Sequence, residues 1–184
     1  MAVNLYDSFN NEITGETFRC IDYTSEAFVF EWTVAPKGYV PFEHIHLNQA
    51  EIFHVKAGEI KIYIEGEEFI GKLGDTVTVP AGKRHIAYNN KPETLSCVVE
   101  YKPGLDTYTY FQCFAGLTLD KDTNKYGKIN IAKMLYLAKK MNARSLVRPT
   151  SVPAPVLKLV ANLAFIIGCL LGWVKIYARY TGKQ

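Results

Sequence analysis

From residue 16 to about residue 114, apolar side chains recur at every second position in short runs, and Gly, Pro or Asn interrupts each run. Successive side chains of an extended strand point to opposite faces, so this period gathers the apolar residues on one side. Phe28, Phe30, Trp32 and Val34 share a face in this way, as do Ile60, Ile62 and Ile64. Glu65, Gly66, Glu67 and Glu68 separate the second run from Phe69 and Ile70, which predicts a hairpin. Many short strands between turn residues predict an all-β sandwich or barrel. The chain has 184 residues, 48% hydrophobic and 21% charged, which fits one domain with an appendage and excludes bulk disorder or a polytopic membrane protein.

The period changes after residue 115. A polar, turn-rich stretch precedes Ile131, Met134, Leu135, Ala138 and Met141, which recur at helical spacing with Lys133, Lys139 and Lys140 off that stripe. An amphipathic helix over about 129–142 is expected. Pro149, Pro153 and Pro155 then predict a linker or hinge, because each restricts the residue before it. A second helix is expected over 156–177, apolar on nearly every face. The expected division is a β-barrel over 1–115, a connection with the amphipathic helix and linker over 116–150, and a hydrophobic helix over 151–184.

Residues 159–174 contain no charge and lie between Lys158 and Lys175. At ~1.5 Å per residue such a segment is about 24 Å long, a little short of a bilayer core. Trp173, Tyr177 and Tyr180 cluster near one end, as interfacial anchors would, and Gly168 and Gly172 permit a close helix approach. A small barrel has little surface on which to hide such a helix. The expectation is therefore membrane contact through 156–177, with burial in the protein or in a homodimer as the alternative, and a homodimer is the expected assembly. Basic residues before the segment outnumber those after it, and the first residues show no basic stretch followed by an apolar run. A cytoplasmic barrel is expected.

The formal net charge of +3 argues against a dedicated nucleic-acid binder. Cys20, Cys97, Cys113 and Cys169 are far apart, without C-x-x-C spacing, and read as small buried apolar residues. No glycine-rich nucleotide loop and no supported Ser/His/Asp pattern is present.

Three of the four histidines fall into two compact patterns. Gly38, His44, His46, Glu51 and Gly58 form G-x5-H-x-H-x4-E-x6-G, and Gly74, Pro80, Gly82, His85 and Asn89 form G-x5-P-x-G-x2-H-x3-N. On a strand His44 and His46 project from one face. The four residues after His46 leave room for a turn from which Glu51 can return to the same point. Pro80 and Gly82 mark a turn that would aim His85 from a third direction. Three imidazoles and a carboxylate suit a divalent transition metal, Fe, Mn, Ni, Co or Zn, without choosing among them.

The two patterns together resemble the paired motifs of the cupin superfamily, with every fixed position filled, over roughly residues 17–114. The resemblance implies a jelly-roll barrel followed here by two C-terminal helices, with a metal held by His44, His46, Glu51 and His85. It implies a small-molecule ligand and either oxygenase- or isomerase-type chemistry, or a non-catalytic sensory role with the C-terminal helix as tether. Fold and metal leave the reaction open, and no catalytic acid or base is assignable from the sequence.

Other residues have plainer expected roles. His54 has the opposite strand parity to Glu51 and should face away from the pocket. Glu43 should point outward, and Asn89 should close a strand end. Phe42, Phe53, Val55 and Val77 are expected to wall the pocket.

Overall fold

The computed structural model describes residues 2–183. In chain order its strands are β1 (Phe9–Asn11), β2 (Glu16–Tyr23), β3 (Phe28–Val34), β4 (His44–His46), β5 (Ala50–Ala57), β6 (Glu59–Ile64), β7 (Glu67–Lys72), β8 (Thr76–Val79), β9 (Arg84–Tyr88), β10 (Leu95–Lys102) and β11 (Val147–Pro149). Its helices are α1 (Thr107–Leu119), α2 (Ile131–Lys140), α3 (Ala154–Leu170) and α4 (Val174–Thr181). Two antiparallel sheets, ordered β1-β2-β3-β10-β5-β8 and β11-β4-β9-β6-β7, face each other. The all-β expectation describes the sheets, to which four helices are added.

The strands form where alternation places them. In β3 the inward residues Phe28, Phe30, Trp32 and Val34 are buried and the residues between them are half-buried. The β6–β7 hairpin pairs Ile64 with Glu67 across Glu65 and Gly66. Both turn residues have positive φ, 54° and 90°, the combination that matches the twist of a two-residue hairpin.

The segment 107–119, rich in Thr, Tyr and Phe, forms α1 and not the end of the strand region. Its composition favours a strand, but aromatic contacts inside the barrel override that preference. The Phe111 ring lies 4.9 Å from Phe28 and 5.3 Å from Phe30, and Phe114 meets Phe18 edge-on at 5.6 Å. Asp106, just before α1, accepts backbone hydrogen bonds from Arg144 and Ser145, tying the helix to the chain that leads into β11.

The expected linker is also structured. β11 pairs with β4, Val147 opposite His46 and Pro149 opposite His44. A proline is tolerated there because β11 is an edge strand. Pro153 caps α3 and Pro155 sits in its first turn, where a missing N–H costs nothing.

The single helix expected over 156–177 is broken. α3 ends at Leu170, Gly172 takes φ 69°, and α4 leaves at 92°. Among the described residues no single helix is long and apolar enough to cross a membrane. Of the expected Gly168/Gly172 pair, Gly168 makes the close approach and Gly172 makes the bend: a methyl group on Gly168 would overlap the Tyr136 ring. Gly116 of α1 stands in the same relation to Tyr180 of α4. Three cysteines are buried as expected, whereas Cys169 on α3 is exposed.

Because the Tyr180 ring occupies the space a Cβ would need, Gly116→Ala should lower stability by roughly 1–3 kcal/mol through forced separation of α1 and α4. Thermal or denaturant unfolding measures this.

Candidate metal centre

Four side chains from three strands meet inside the barrel. His44 and His46 come from β4, and His85 from β9, where it stands directly opposite His44. Glu51 comes from β5 in the facing sheet, beside Tyr101 of β10. One donor atom from each of His44, His46, Glu51 and His85 lies within 4.8 Å of the other three, and all four residues are buried.

The imidazoles are oriented by their own backbone. His44 Nδ1 lies 3.1 Å from the Phe42 carbonyl, and His85 Nδ1 lies 3.1 Å from the Lys83 carbonyl. A ring that donates through Nδ1 can present Nε2 with its lone pair, as His44 does; His85 is held by the same local contact two residues back, but its Nε2 donates to the Glu51 carboxylate. His85 Nε2 is 2.7 Å from Glu51 Oε2. His46 Nε2 is 3.4 Å from the same oxygen, yet neither ring nitrogen of His46 has a hydrogen-bond partner. The His46 ring instead packs on Tyr101, with centroids 4.7 Å apart.

Electrostatics follow from this burial. Desolvation pushes the His44 imidazole down to about 3, reinforced by the neighbouring His85 and His46, so it stays neutral. Burial also pushes the Glu51 carboxyl up, but attraction to His46 and His85 outweighs it and holds Glu51 well below the usual carboxylate range. His85 shows the reciprocal effect: burial lowers it, and Glu51 more than compensates. Tyr101 is driven well above its ordinary value by burial and by Glu51, so its phenol remains protonated.

A cavity of about 120 Å³ adjoins the four residues. Its walls are mostly apolar: Phe18, Phe30, Trp32 and Val99 from one sheet, Ala87 from the other, and Tyr110, Phe111 and Phe114 from α1. Phe42 and Phe53 line it as expected, while Val55 belongs to the core and Val77 lies elsewhere. His54 points away from the cavity, pairing with Glu100 at 2.7 Å. Glu43 accepts from the Thr150 hydroxyl at 2.7 Å on the outer side. Asn89 is fully buried and donates to the carbonyls of Val34, Ala35 and Glu93, closing the end of β9.

Several cavity residues escaped the sequence reading, Glu16, Tyr101 and the α1 aromatics among them. Glu16 opens β2, is 3% exposed and lines the same cavity. It alternates with Phe18 and Cys20 on an inward face, and a carboxylate in an otherwise apolar inward series was the available signal. The α1 aromatics gave no such signal, since their place depends on how the helix docks.

Residues 30–101 match the Cupin domain family. The barrel has the cupin fold. Among solved structures, the KdgF protein of Halomonas sp. is 20% identical, with 55% of this chain and 90% of that one covered at a TM-score of 0.50. An uncharacterized Klebsiella pneumoniae protein with a double-stranded β-helix domain is 24% identical over 54% of this chain and 80% of its own, at 0.48. A Streptomyces nucleoside dehydratase, Pac13, is 18% identical over 53% and 75%, at 0.45. No curated protein matches. At these identities the cupin likeness speaks for the fold and not for the reaction, and α2, α3 and α4 lie outside the matched family region.

Since the two N–H groups of the Asn89 amide serve three backbone carbonyls, one of them shared, Asn89→Ala should cost roughly 1–3 kcal/mol of stability. The check is the denaturant midpoint, with loss of stability expected in protein with and without added metal.

Proposed function

We propose that this cupin is a metal-dependent protein acting on a small molecule, with His44, His46, Glu51 and His85 as the metal ligands. The observation that carries the reading is His46, a buried imidazole whose two nitrogens have no partner, at the centre of four donors that can reach one point. Unpartnered buried polar atoms are costly, and an ion at that point would satisfy His46, take the lone pair that His44 presents, and replace the proton that His85 donates to Glu51. The donor set of neutral nitrogen and carboxylate oxygen fits Fe, Mn, Ni, Co or Zn. Such an ion supplies Lewis-acid polarisation of a ligand oxygen. The chain's own contribution is a mostly apolar, aromatic-walled cavity that admits a compact ligand and keeps the Tyr101 proton in place beside Glu51. Oxygenase- or isomerase-type turnover is the chemistry this arrangement suits.

Protein purified without chelator should hold about one divalent ion per chain, and His46→Ala should lose it, as measured by elemental analysis. Wild-type protein that neither carries metal nor takes up added Co, Zn, Mn, Ni or Fe would overturn the reading.

We further infer that α3 and α4 dock the barrel on an anionic membrane surface. α3 buries Leu157, Ala164 and Gly168 and packs Phe165 on Tyr136, but leaves most of its large residues outward: Leu159, Leu163, Ile166, Ile167 and Leu170 are exposed, Leu170 to 82%, as is Leu171 just beyond it. A helix at a protein–water surface has the opposite bias. Charge complements the apolar face. Residues 123–184 hold 8 Lys and 3 Arg with no Asp or Glu, so the overall +3 hides a strongly basic end and an acidic barrel. Lys139 and Lys140 of α2 lie over the rings of Phe165 and Tyr177, and Lys158 and Lys175 flank the exposed stripe. This is the composition of a helix lying in a lipid interface.

Purified protein should float with phosphatidylglycerol vesicles and much less with phosphatidylcholine vesicles, and Leu163→Glu with Leu170→Glu should abolish flotation. A wild-type protein that ignores both vesicles, or a stable dimer broken by the same two substitutions, would count against the membrane.

A further inference from the structure

We propose that the cleft between α2, α3 and β11 is a second binding site, separate from the metal centre, for an aliphatic carboxylate: one anionic head on a hydrocarbon chain, held head-first at Arg148. The inference depends on neither the metal reading nor the membrane reading above.

Strand parity makes two cavities out of one strand. Val147 and Arg148 are neighbours on β11, so their side chains take opposite faces of the sheet. Val147 lines the metal cavity, and Arg148 lines another, of about 410 Å³. That volume is within the range of small-molecule pockets. The large wall residues of the second cavity are Leu47, Leu135, Leu146 and Leu157, its other apolar lining is alanine, and no aromatic or acidic side chain takes part. Aliphatic walls without a ring to stack on fit a flexible hydrocarbon body, whereas a planar ligand would call for aromatic partners.

Charge supplies the polar end. Lys139 of α2, Arg148 of β11 and Lys158 of α3 all line this cavity. Among the described residues none of the three forms a salt bridge, and α2, β11 and α3 contain no Asp or Glu that could supply one. Lys139 donates to the Asn162 side-chain oxygen on the cavity wall, and Lys158 is exposed. Arg148 is different. The residue is half-buried, and its Nε is buried without a hydrogen-bond partner. Leaving a buried donor unsatisfied costs free energy, and the planar guanidinium matches a carboxylate through two parallel hydrogen bonds. A carboxylate at Arg148 meets that demand, with the two amines as further counter-charge.

The exposed stripe of α3 is a different surface. At about 100° per residue, the cavity residues Ala154, Leu157, Lys158 and Ala161 lie on one face of the helix, and Leu159, Leu163, Ile166 and Leu170 lie on the opposite one. A bilayer against the stripe faces away from the cavity, so the occupant is a free molecule and not a membrane lipid.

Titration calorimetry with dodecanoate, kept below its micelle concentration, tests the site. Wild type should bind about one equivalent. Arg148→Gln should bind about tenfold more weakly or worse, from the loss of a charge-assisted pair, and Ala161→Trp, which fills the cavity, should not bind. Leu163→Glu with Leu170→Glu, which removes the stripe, should bind as wild type does. Dodecyltrimethylammonium, the same chain with the opposite charge, should not bind. No binding of dodecanoate by wild type, or equal affinity for the ammonium, overturns the proposal. So does an affinity unchanged by both Arg148→Gln and Ala161→Trp, as a carboxylate on the metal centre would give. Binding lost in the stripe variant but kept in Arg148→Gln puts the amphiphile on the outer face of α3, which overturns this proposal and leaves the membrane reading standing. If Arg148→Gln or Ala161→Trp does not fold, Lys158→Gln at an exposed position decides: about threefold weaker binding is expected, and unchanged affinity overturns the proposal.

Discussion

Burying a carboxylate costs several kcal/mol unless its surroundings compensate, and in this barrel the compensation reaches Glu51 from the opposite sheet. Glu51 stands on β5, while His46 and His85 stand on β4 and β9 of the facing sheet. The two sheets therefore close best in the register that brings these groups together, and the contact links packing to chemistry. Its stabilising partner is an imidazole held in place by the backbone two residues earlier, so orientation is built into the strand that carries it. His46 also attracts Glu51, its Nε2 lying 3.4 Å from the same oxygen, but neither of its nitrogens makes a hydrogen bond. A fold that tolerates this has placed an unmet polar demand where an ion or ligand can answer it.

The C-terminal third completes this site from outside the cupin match. α1 contributes Tyr110, Phe111 and Phe114 to the cavity wall, and β11 extends the sheet next to the histidine strand. Asp106 and Asn48 each bond the backbone around Arg144, holding the segment that leads to β11 against the barrel. α3 contrasts with these elements. Its inward contact is made by Leu157, Ala164, Phe165 and Gly168 against α2, and most of its aliphatic bulk faces away from the barrel. One end of the chain thus finishes an apolar cavity while the following helices present an apolar, basic-flanked surface.

Much of the barrel was legible because strand alternation is a local property. His44 and His46 had to share a face, His54 had to lie on the other side from Glu51, and Glu65 with Gly66 had to turn. The cluster was legible for the same reason, helped by two motifs whose turns set the direction of each strand. Glu16 was equally local but was overlooked, since a single carboxylate at the start of a strand looks like a solvated end until its neighbours are known. The helical nature of 107–119 was hidden by residues that prefer strands, and the prolines of 147–155 concealed a short edge strand and a helix start.

Periodicity and motif spacing therefore settled which side of each strand a residue takes, where the hairpin turns, and which four donors stand at metal-ligand spacing, all of which depend on neighbours a few residues apart. Their convergence across two sheets, the aromatic helix that walls the cavity, and the bend at Gly172 depend on contacts between residues far apart in the chain. No local period encodes such contacts: the energy that selects them, from buried aromatic area and a desolvated carboxylate, exists only after the sheets have packed.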